Sequence, residues 1–344
     1  MIKLLIADDS AFMRKAISKI AEKDPKIKVI GFANNGQEAI DKTKELRPDV
    51  LTLDIEMPLL NGLEALRIIM KECPLPVLMI SSLTKQGAAE TLEALELGAL
   101  DYIPKNLSYV SLDILKLEKD IIEKIKLIAK KKPRIRLAQR YKSPEIYKKD
   151  PGQYSGDYSL IAIGASTGGP GAVQDIITSL PADLPCPVVV AQHMPAGFTR
   201  SFAERLDSLS SIKVKEAENG ENIQDATVYI APGNHNMALL RRGARVTVSL
   251  NNKKAVSPYK PSVDVLVSSA ARIYGKKVLG IILTGMGNDG LLGMRELKKN
   301  DGFIIAQDEE TSIIYGMPKA VIDDSLADVI SPLQNIIKEM MRVI

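Results

Sequence analysis

Cysteine and histidine are scarce in this sequence, which contains two of each among 344 residues. Cys73 and Cys186 lie far apart in the chain, and each has a proline as a neighbour. Two distant cysteines cannot form a disulfide framework, so we expect a reduced compartment, the cytoplasm, and two inert buried thiols. A histidine that acts as a catalytic base must be either His193 or His235.

Long apolar runs are absent as well. No stretch approaches the roughly 18 apolar residues that a membrane helix requires. The first apolar run, MIKLLIA, is too short for a signal peptide and is followed by two aspartates. We therefore expect a globular protein that does not insert into a membrane.

No large excess of one charge extends over the whole chain, whose net charge is +4. Eleven lysines and arginines and a single acid lie between Lys124 and Lys149, so this segment alone carries +10 and the rest of the chain is acidic. Because the basic character is local, it gives no argument for a nucleic-acid partner.

Residues 1–122 contain five apolar runs that alternate with amphipathic stretches, a rhythm that predicts a doubly wound parallel α/β sheet. Residues 123–156 are basic, contain prolines and glycines without a clean period, and are interpreted as a linker. The five apolar runs, the expected strands, are KLLIAD, KVIGFA, DVLTLD, PVLMIS and LDYIP.

A second α/β series over residues 157–344 predicts another doubly wound parallel sheet, of the Rossmann-like type. The run RVTVSLN alternates in polarity and predicts an added hairpin strand. The expected strands of the sheet are SLIAIG, PVVVAQ, ATVYIAP, VLGIILT and GFIIAQ, and the expected helices are GGPGAVQDIITSL, SVDVLVSSAARIYG and DGLLGMRELKKN.

Three aspartates follow strands of the first predicted sheet: Asp8 and Asp9 after the first strand and Asp54 at the end of the third. The carboxyl ends of neighbouring parallel strands meet at one edge, so these carboxylates should converge. A cluster of carboxylates suits Mg²⁺, which prefers oxygen ligands. The alternative is that Asp8 and Asp9 cap the helix AFMRKAISKI.

A hydroxyl, of Ser81 or Ser82, ends the fourth strand, and Lys105 follows the fifth. Beside a metal-bound carboxylate, a hydroxyl and an ammonium could hold a phosphoryl group on Asp54. The motifs DDS, LDIEMP, NG, MISS and GALDYIPK over residues 1–122 closely resemble the response-regulator receiver domain.

This resemblance implies that Asp54 accepts a phosphoryl group from a histidine kinase. It also implies that Asp9 and Asp54, with the backbone carbonyl of Glu56, hold Mg²⁺. Ser81 aligns with the switch hydroxyl of the family, with Ser82 as the adjacent alternative, and Tyr102 aligns with its aromatic switch. One position departs from the pattern: Asn106 follows the lysine where receivers usually have a proline, which puts the geometry of that loop in question.

The second domain contains G-x-S-x-G at residues 164–168, between a predicted strand and a predicted helix. Small residues on both sides would let a strained turn present the hydroxyl of Ser166 at the helix N-terminus. The backbone N–H of Thr167 would then be a first oxyanion donor. The alternative is a phosphate-binding glycine turn in which Ser166 is an N-cap.

His193 and Asp289 also follow apolar strands, so they should reach the same sheet edge as Ser166. A hydroxyl, an imidazole and a carboxylate gathered there form a hydrolase constellation. Asp289 could instead cap the helix LLGMRELKKN, or do both. His235 lies in a turn-rich loop and is the weaker candidate for the base.

The motifs GASTGGP, AQHMP, PSVDVL and TGMGNDG over about residues 157–340 resemble the methylesterase family of chemotaxis. The resemblance implies that Ser166 is the nucleophile, His193 the general base and Asp289 its orienting acid, with the N–H of Met286 as a second oxyanion donor. It implies no metal or cofactor at this site. One loop departs, because Asn236 occupies the place of the family's histidine and His235 comes one residue earlier.

The expected reaction is hydrolysis of glutamate methyl esters, with deamidation of glutamines, on chemoreceptors, regulated by phosphorylation of Asp54. We hypothesise that the unphosphorylated receiver domain covers the Ser166 edge. The expected partners are methylated chemoreceptors and a chemotaxis histidine kinase, with no nucleic acid, and the chain is expected to be a monomer. The rival functions are a transcription regulator, which needs a helix-turn-helix, and a nucleotide-binding enzyme that uses the glycine turn.

Overall fold

The computed structural model describes residues 1–105, 113–131, 158–252 and 257–344. The chain forms two compact units, Met1–Arg140 and Tyr141–Ile344. The departure at Asn106 and most of the predicted linker lie outside the described residues. In the part of the chain that the structure describes, no helix is both long and apolar enough to cross a bilayer.

The first unit has a parallel sheet in the order β2-β1-β3-β4-β5. Each predicted apolar run forms one of these strands. The elements are β1 (Ile2–Ala7), α1 (Ala11–Ala21), β2 (Ile27–Ala33), α2 (Gly36–Leu46), β3 (Val50–Asp54), α3 (Gly62–Glu72), β4 (Val77–Ser81), α4 (Lys85–Glu96), β5 (Asp101–Pro104) and α5 (Asp113–Ile128).

The helix α5 continues past residue 122, where we placed the end of the first domain. Its apolar positions continue through Ile125 and Ile128, which are fully buried. Because burial of these side chains stabilises the helix on the sheet, the first domain extends at least to residue 128 and the linker begins later than the composition indicated.

The second unit has a parallel sheet in the order β14-β13-β12-β6-β7-β9-β8 and a separate antiparallel hairpin, β10-β11. Its elements are β6 (Leu160–Ala165), α6 (Gly169–Ile177), β7 (Val188–Gln192), α7 (Phe198–Leu209), β8 (Lys213–Glu216), β9 (Thr227–Ile230), β10 (Asn236–Arg242), β11 (Arg245–Asn251), α8 (Val263–Tyr274), β12 (Val278–Ile282), α9 (Leu291–Lys299), β13 (Phe303–Gln307), α10 (Met317–Asp323), β14 (Val329–Ser331) and α11 (Leu333–Val343).

The five expected strands of this sheet are present, and RVTVSLN forms β11 of the hairpin as predicted. The central strands are buried on both faces, as is typical of parallel sheets. Two short strands at the edges of the sheet, β8 and β14, were not predicted from the sequence.

The two thiols are free, but only one of them is fully buried. Burial raises the pKa of the Cys186 thiol to about 12, so this cysteine is inert. Cys73 is half-buried, at the C-terminal end of α3. The expectation of two buried thiols is therefore correct for Cys186 and wrong for Cys73, because a helix terminus at the surface leaves that side chain partly accessible.

Candidate active site

The three side chains of the predicted triad meet at the carboxyl edge of the second sheet. Ser166 directly follows β6, His193 directly follows β7, and Asp289 lies in the loop after β12. Because β6 lies between β12 and β7, the nucleophile's strand is flanked by those of the base and the acid. The Nδ1 atom of His193 is 3.1 Å from Ser166 Oγ, and its Nε2 atom is 2.8 Å from Asp289 Oδ2.

These distances assign the roles of the two ring nitrogens. The carboxylate of Asp289 only accepts hydrogen bonds when ionised, so Nε2–H of His193 donates to it. The lone pair of Nδ1 then faces the hydroxyl of Ser166 and can accept its proton. The ring presents its nitrogens in the opposite order to the serine-protease template, in which Nε2 faces the serine, but the proton transfer it supports is the same.

The carboxylate of Asp289 is buried and held by donors from α8. It accepts hydrogen bonds from the Ser262 hydroxyl (2.9 Å) and from the backbone N–H groups of Val263 (2.7 Å) and Asp264 (3.2 Å). Burial alone would raise the pKa of Asp289, but the hydrogen bonds from His193 and from these N–H groups outweigh it and lower the pKa. Asp289 is therefore ionised when His193 needs a partner.

Asp289 caps a different helix from the one that the sequence suggested. It directly precedes the Gly290 cap of α9, yet its oxygens bond the first N–H groups of α8. The expectation that it caps LLGMRELKKN is thus wrong. Its role as orienting acid and its role as a helix cap both remain, because the helix N-terminus favours the same negative charge that orients the imidazole.

The turn that presents Ser166 takes its positive φ at Gly168 (75°) and not at the serine. The backbone N–H of Ser166 donates to the carbonyl of Thr284 (3.0 Å), and the Thr284 hydroxyl donates to the carbonyl of Thr167 (2.9 Å). A Cβ on Gly285 would lie 2.8 Å from Ser166 Cβ. The left-handed backbone of the predicted turn therefore lies at Gly168 and not at Ser166, and the loop after β12 holds the serine in place through Thr284.

Two backbone N–H groups beside Ser166 are available to an oxyanion. Within the described residues, the N–H groups of Thr167 and Met286 donate to no acceptor. Thr167 is next in sequence to the nucleophile, and Met286 follows the Gly285 that contacts it. Thr167 is buried, and a buried N–H without an acceptor is uncommon in proteins. The position of the two groups suits stabilisation of a tetrahedral intermediate.

Several supporting residues were not identified from the sequence. The ring of Tyr259 stacks on His193, with centroids 4.8 Å apart and planes 9° apart. The side-chain amide of Gln192 donates to the carbonyls of Ser166 (2.9 Å) and His193 (3.2 Å), joining the nucleophile and the base. Gln192 precedes His193 in the AQHMP motif, so its role beside the triad could have been predicted from the sequence. Tyr259 lies alone in a loop, and no sequence pattern points to it.

His235 takes no part in this arrangement. Its Nδ1 atom lies 3.3 Å from the carbonyl of Gly233 in its own turn. Asn236, which replaces the histidine of the family pattern, is buried, and its side-chain amide has no partner in the described part of the chain. The structure therefore places His193, and not His235, beside the nucleophile.

The acidic residues of the first unit converge as predicted. Carboxylate oxygens of Asp8, Asp9 and Asp54 lie within 4.8 Å of one another. Ser10, and not an aspartate, caps α1. Lys105 Nζ donates to Asp54 Oδ2 at 2.6 Å and lies 3.4 Å from Asp8 Oδ2. The three carboxylates and the lysine thus lie together, as the resemblance to receiver domains implies for a phosphate-accepting pocket.

Burial raises the pKa of Asp54 to about 7, with the charge of Asp8 adding to it and Lys105 opposing it. The pKa of Asp8 is also raised, chiefly by burial. Apart from the Lys105 ammonium 3.4 Å away, its Oδ2 atom has no hydrogen-bond donor among the described residues. An unsatisfied carboxylate oxygen and a costly pair of charges fit a bound divalent cation.

Among the described residues, the hydroxyls of Ser81 and Ser82 make their hydrogen bonds to groups other than Asp54. The Ser81 hydroxyl donates to the carbonyl of Gly87 and accepts from Thr91, both on α4. The Ser82 hydroxyl donates to the Glu56 carboxylate at 2.9 Å. The ring of Tyr102 is buried, which raises the pKa of its hydroxyl well above 10. In this conformation both serines are bonded to other elements, so the choice between them remains open.

The chain matches known families over both units. Residues 4–114 match the family model of the response regulator receiver domain, and residues 161–340 match that of the CheB methylesterase. The protein-glutamate methylesterase/protein-glutamine glutaminase of Pyrococcus abyssi is 45% identical over 349 residues, 100% of this chain and 94% of that protein. The protein of the same name from Thermotoga maritima is 43% identical over 344 residues, 100% and 99% of the two chains.

A solved structure supports the same assignment for the second unit. The crystal structure of the Thermotoga maritima CheB methylesterase catalytic domain is 42% identical to this chain, with a TM-score of 0.53. The matched region covers 54% of this chain and 99% of the Thermotoga maritima domain. With a methylesterase model over more than half of the residues and relatives aligned from end to end, the chain belongs to the CheB methylesterase family and contains a receiver domain ahead of its methylesterase domain.

Proposed function

We propose that this chain is a protein-glutamate methylesterase that hydrolyses γ-methyl esters of glutamate side chains on chemoreceptors. The observation that supports this most directly is the continuous hydrogen-bonded series from Ser166 Oγ through His193 to Asp289. The free N–H groups of Thr167 and Met286 beside the nucleophile complete what acyl transfer requires. A nucleotide-binding glycine turn would not need the imidazole and carboxylate.

The reaction follows from this geometry. Ser166 Oγ attacks the ester carbonyl while His193 Nδ1 takes the hydroxyl proton, and the oxyanion accepts hydrogen bonds from the N–H groups of Thr167 and Met286. The tetrahedral intermediate then expels methoxide, which leaves as methanol with the proton from His193. Water attacks the acyl-enzyme, again with His193 as base, and releases the glutamate carboxylate and the free serine.

The same site would deamidate glutamine. An amide carbonyl presents the same electrophile, and His193 would protonate the departing nitrogen so that ammonia leaves in place of methanol. The activity of a protein-glutamine glutaminase appears in the names of the relatives that match the full chain. Neither reaction requires a metal or cofactor at the triad.

The first unit would regulate this activity through phosphorylation of Asp54. The phosphoryl group would leave a phosphohistidine of a histidine kinase, its P–N bond breaking as a P–O bond forms on the Asp54 carboxylate. Asp8, Asp9 and Asp54, with the backbone carbonyl of Glu56, would hold Mg²⁺, which neutralises phosphate charge when bound. Lys105, already paired with Asp54, would bind an oxygen of the new phosphoryl group.

The partners follow from these two activities. A phosphodonor kinase serves the receiver domain, and methylated receptor helices serve the esterase, so we place the protein in the cytoplasm, where such helices would be accessible. We further propose that it acts as a monomer and that no nucleic acid takes part.

The decisive experiment measures methanol released from a helical peptide that carries a glutamate γ-methyl ester. Ser166→Ala should lower kcat by about 10³-fold or more, since the nucleophile is lost. Ser208→Ala is the matched control, because its exposed hydroxyl only bonds a carbonyl in its own helix. Near-normal turnover by Ser166→Ala would exclude the proposed mechanism.

A further inference from the structure

In the second unit, an aspartate of α8 caps the start of α9, and an aspartate of the loop before α9 caps the start of α8. The helix α9 starts from Gly290, which has no side chain, and Asp264 of α8 supplies the missing acceptor: its Oδ1 accepts the N–H groups of Gly290 (2.9 Å) and Gly293 (2.8 Å). In return, Asp289 from the loop before α9 accepts the N–H groups of Val263 and Asp264 at the start of α8.

This exchange fixes where Asp289 points. Asp264 holds the N–H of Gly290, the residue next to Asp289, so the carboxylate of one acid fixes the backbone that carries the other. Gly293 allows the approach, since a Cβ there would lie 3.1 Å from Asp264 Cα. Asp289, which bonds His193, is thus held in place by Asp264, 25 positions earlier in the sequence.

We propose that Asp264 is a positioning residue of the esterase, which holds Asp289 on His193 and places a second negative charge behind it. This inference rests on the proposed function, because it concerns the same triad. A carboxylate behind Asp289 favours the positive charge that His193 gains when it takes the proton of Ser166. Asp264 itself touches neither the nucleophile nor the base.

The charge of Asp264 changes within the working pH range. Burial raises its pKa to about 6, with the charge of Asp289 adding to the increase and the N–H groups of Gly293 and Gly290 opposing it. Once protonated, Asp264 can donate a hydrogen bond to Asp289 and compete with His193 for that carboxylate. We therefore expect the esterase to gain activity as pH rises through 6.

Other charged groups near Asp264 could contribute to such a pH dependence. Asp289 and, through it, His193 face Asp264 from the carboxyl edge of the sheet. A cavity of about 500 Å³ beside Asp264 is also lined by Arg241 of β10 and Arg272 of α8. Glu296 of α9 lies 3.8 Å from Arg272. The arginines do not titrate in this range, which leaves Asp264 and His193 as the groups to separate.

Asp264→Asn separates them, because asparagine still caps a helix but remains neutral, like protonated Asp264. The experiment measures kcat/KM for methanol release from the methyl-ester peptide between pH 5 and pH 8.5, for both proteins. We expect wild type to exceed Asp264→Asn by about 10-fold at pH 8, with the ratio approaching one at pH 5. Both proteins contain the same triad, so a ratio that changes with pH reports the charge at position 264, acting directly or through the imidazole.

If Asp264 only caps α9, the ratio of wild-type to Asp264→Asn kcat/KM will not change with pH, and that result would overturn the proposal. Asp264→Ser is the second variant if the asparagine variant does not fold, since serine is a neutral capping residue as well. Asp328→Asn is the control: it removes a carboxylate that bonds Ile304 N–H near the start of β13 and Lys298 in the last turn of α9, away from the triad. The ratio of wild-type to Asp328→Asn kcat/KM should stay near one at every pH. Methanol release by wild type but not Ser166→Ala tests the esterase function separately.

Discussion

Individual buried carboxylates in this chain differ in how many donors reach them, and their roles follow from that difference. Asp289 accepts hydrogen bonds from one imidazole, one hydroxyl and two backbone N–H groups, and its pKa is lowered despite burial. Asp54 has Lys105 but also faces Asp8, and burial raises its pKa to about 7. The lowered pKa keeps Asp289 ionised at neutral pH, whereas the charged form of Asp54 is stabilised by any added cation.

Asp54→Asn should stabilise the first unit at pH 8. The unfolded carboxyl loses its proton near 3.8 and the folded one near 7, so folding stability falls as pH rises between these values and the full cost is present at pH 8. Each pKa unit corresponds to about 1.4 kcal/mol, so the raised pKa, which already includes the attraction of Lys105, sets an upper limit of about 4 kcal/mol, and we expect a net gain of about 2 kcal/mol.

The measurement is urea unfolding of the full chain at pH 8 and pH 4, with the gain absent at pH 4. Asp41→Asn, at an exposed position of α2, is the control and should change the free energy of unfolding by less than about 0.5 kcal/mol. Added Mg²⁺ should stabilise wild type more than Asp54→Asn. A less stable Asp54→Asn at pH 8 would show that Lys105 outweighs burial.

The positions of the reacting residues could be predicted because each one ends or directly follows a strongly apolar strand. Ser166, His193 and Asp54 needed only the location of strand ends in a parallel sheet. The stacking of Tyr259 on His193 and the cap that Asp264 gives to α9 depend on packing between distant segments. No local pattern encodes such contacts, so the structure was required to find them.

At the scale of elements, the helices α8 and α9 act as one catalytic support. Their N-terminal ends meet at Asp289 and Asp264, and Gly293 lets them approach closely. Negative charge at both helix N-termini is favoured by the helix dipole. The acid of the triad therefore depends on the packing of this pair as much as on its own loop.

Gly293→Ala should damage this support. Its new Cβ would lie 2.9 Å from Val267 Cβ and 3.1 Å from the backbone of Asp264, so α8 and α9 must separate. We expect a loss of about 1–3 kcal/mol in stability and a lower kcat, because the hydrogen bonds to Asp264 lengthen.

Gly243→Ala is the matched control for that variant. Gly243 joins β10 to β11 with a φ of 63°, and a Cβ there would meet nothing within 4 Å. We expect a modest stability loss from its backbone conformation and no change in kcat. Equal kcat values for the two glycine variants in peptide hydrolysis would argue against the role of the helix pair.

Elements with strong apolar runs were predicted, whereas short edge strands were not. The runs that form β6 and β7 have four consecutive apolar residues, and the run of β12 is interrupted only by Gly280, which indicates buried parallel strands. The sequence KVKE of β8 and the three residues of β14 carry little apolar pattern. Their pairing with neighbours supplies the stability that their own side chains do not.

At the scale of the whole molecule, one chain combines a receiver domain with a methylesterase domain. If the unphosphorylated receiver domain restrains the esterase, a chain reduced to residues 158–344 should release methanol faster than the full chain. The expected increase is about 10-fold, which corresponds to about 1.4 kcal/mol of inhibitory coupling. The comparison uses the same peptide, pH and temperature, and the Asp54→Asn full chain as an unphosphorylated reference. A rate at or below that of the full chain would contradict this form of regulation.

The proposed esterase mechanism depends on Ser166 being a nucleophile activated by His193 and Asp289. A serine-directed fluorophosphonate with mass spectrometry of the labelled peptide tests this most directly. We predict a single adduct on Ser166, loss of methanol release in proportion to labelling, and no adduct in Ser166→Ala. An adduct at another residue, or full esterase activity after Ser166 is labelled, would contradict the account.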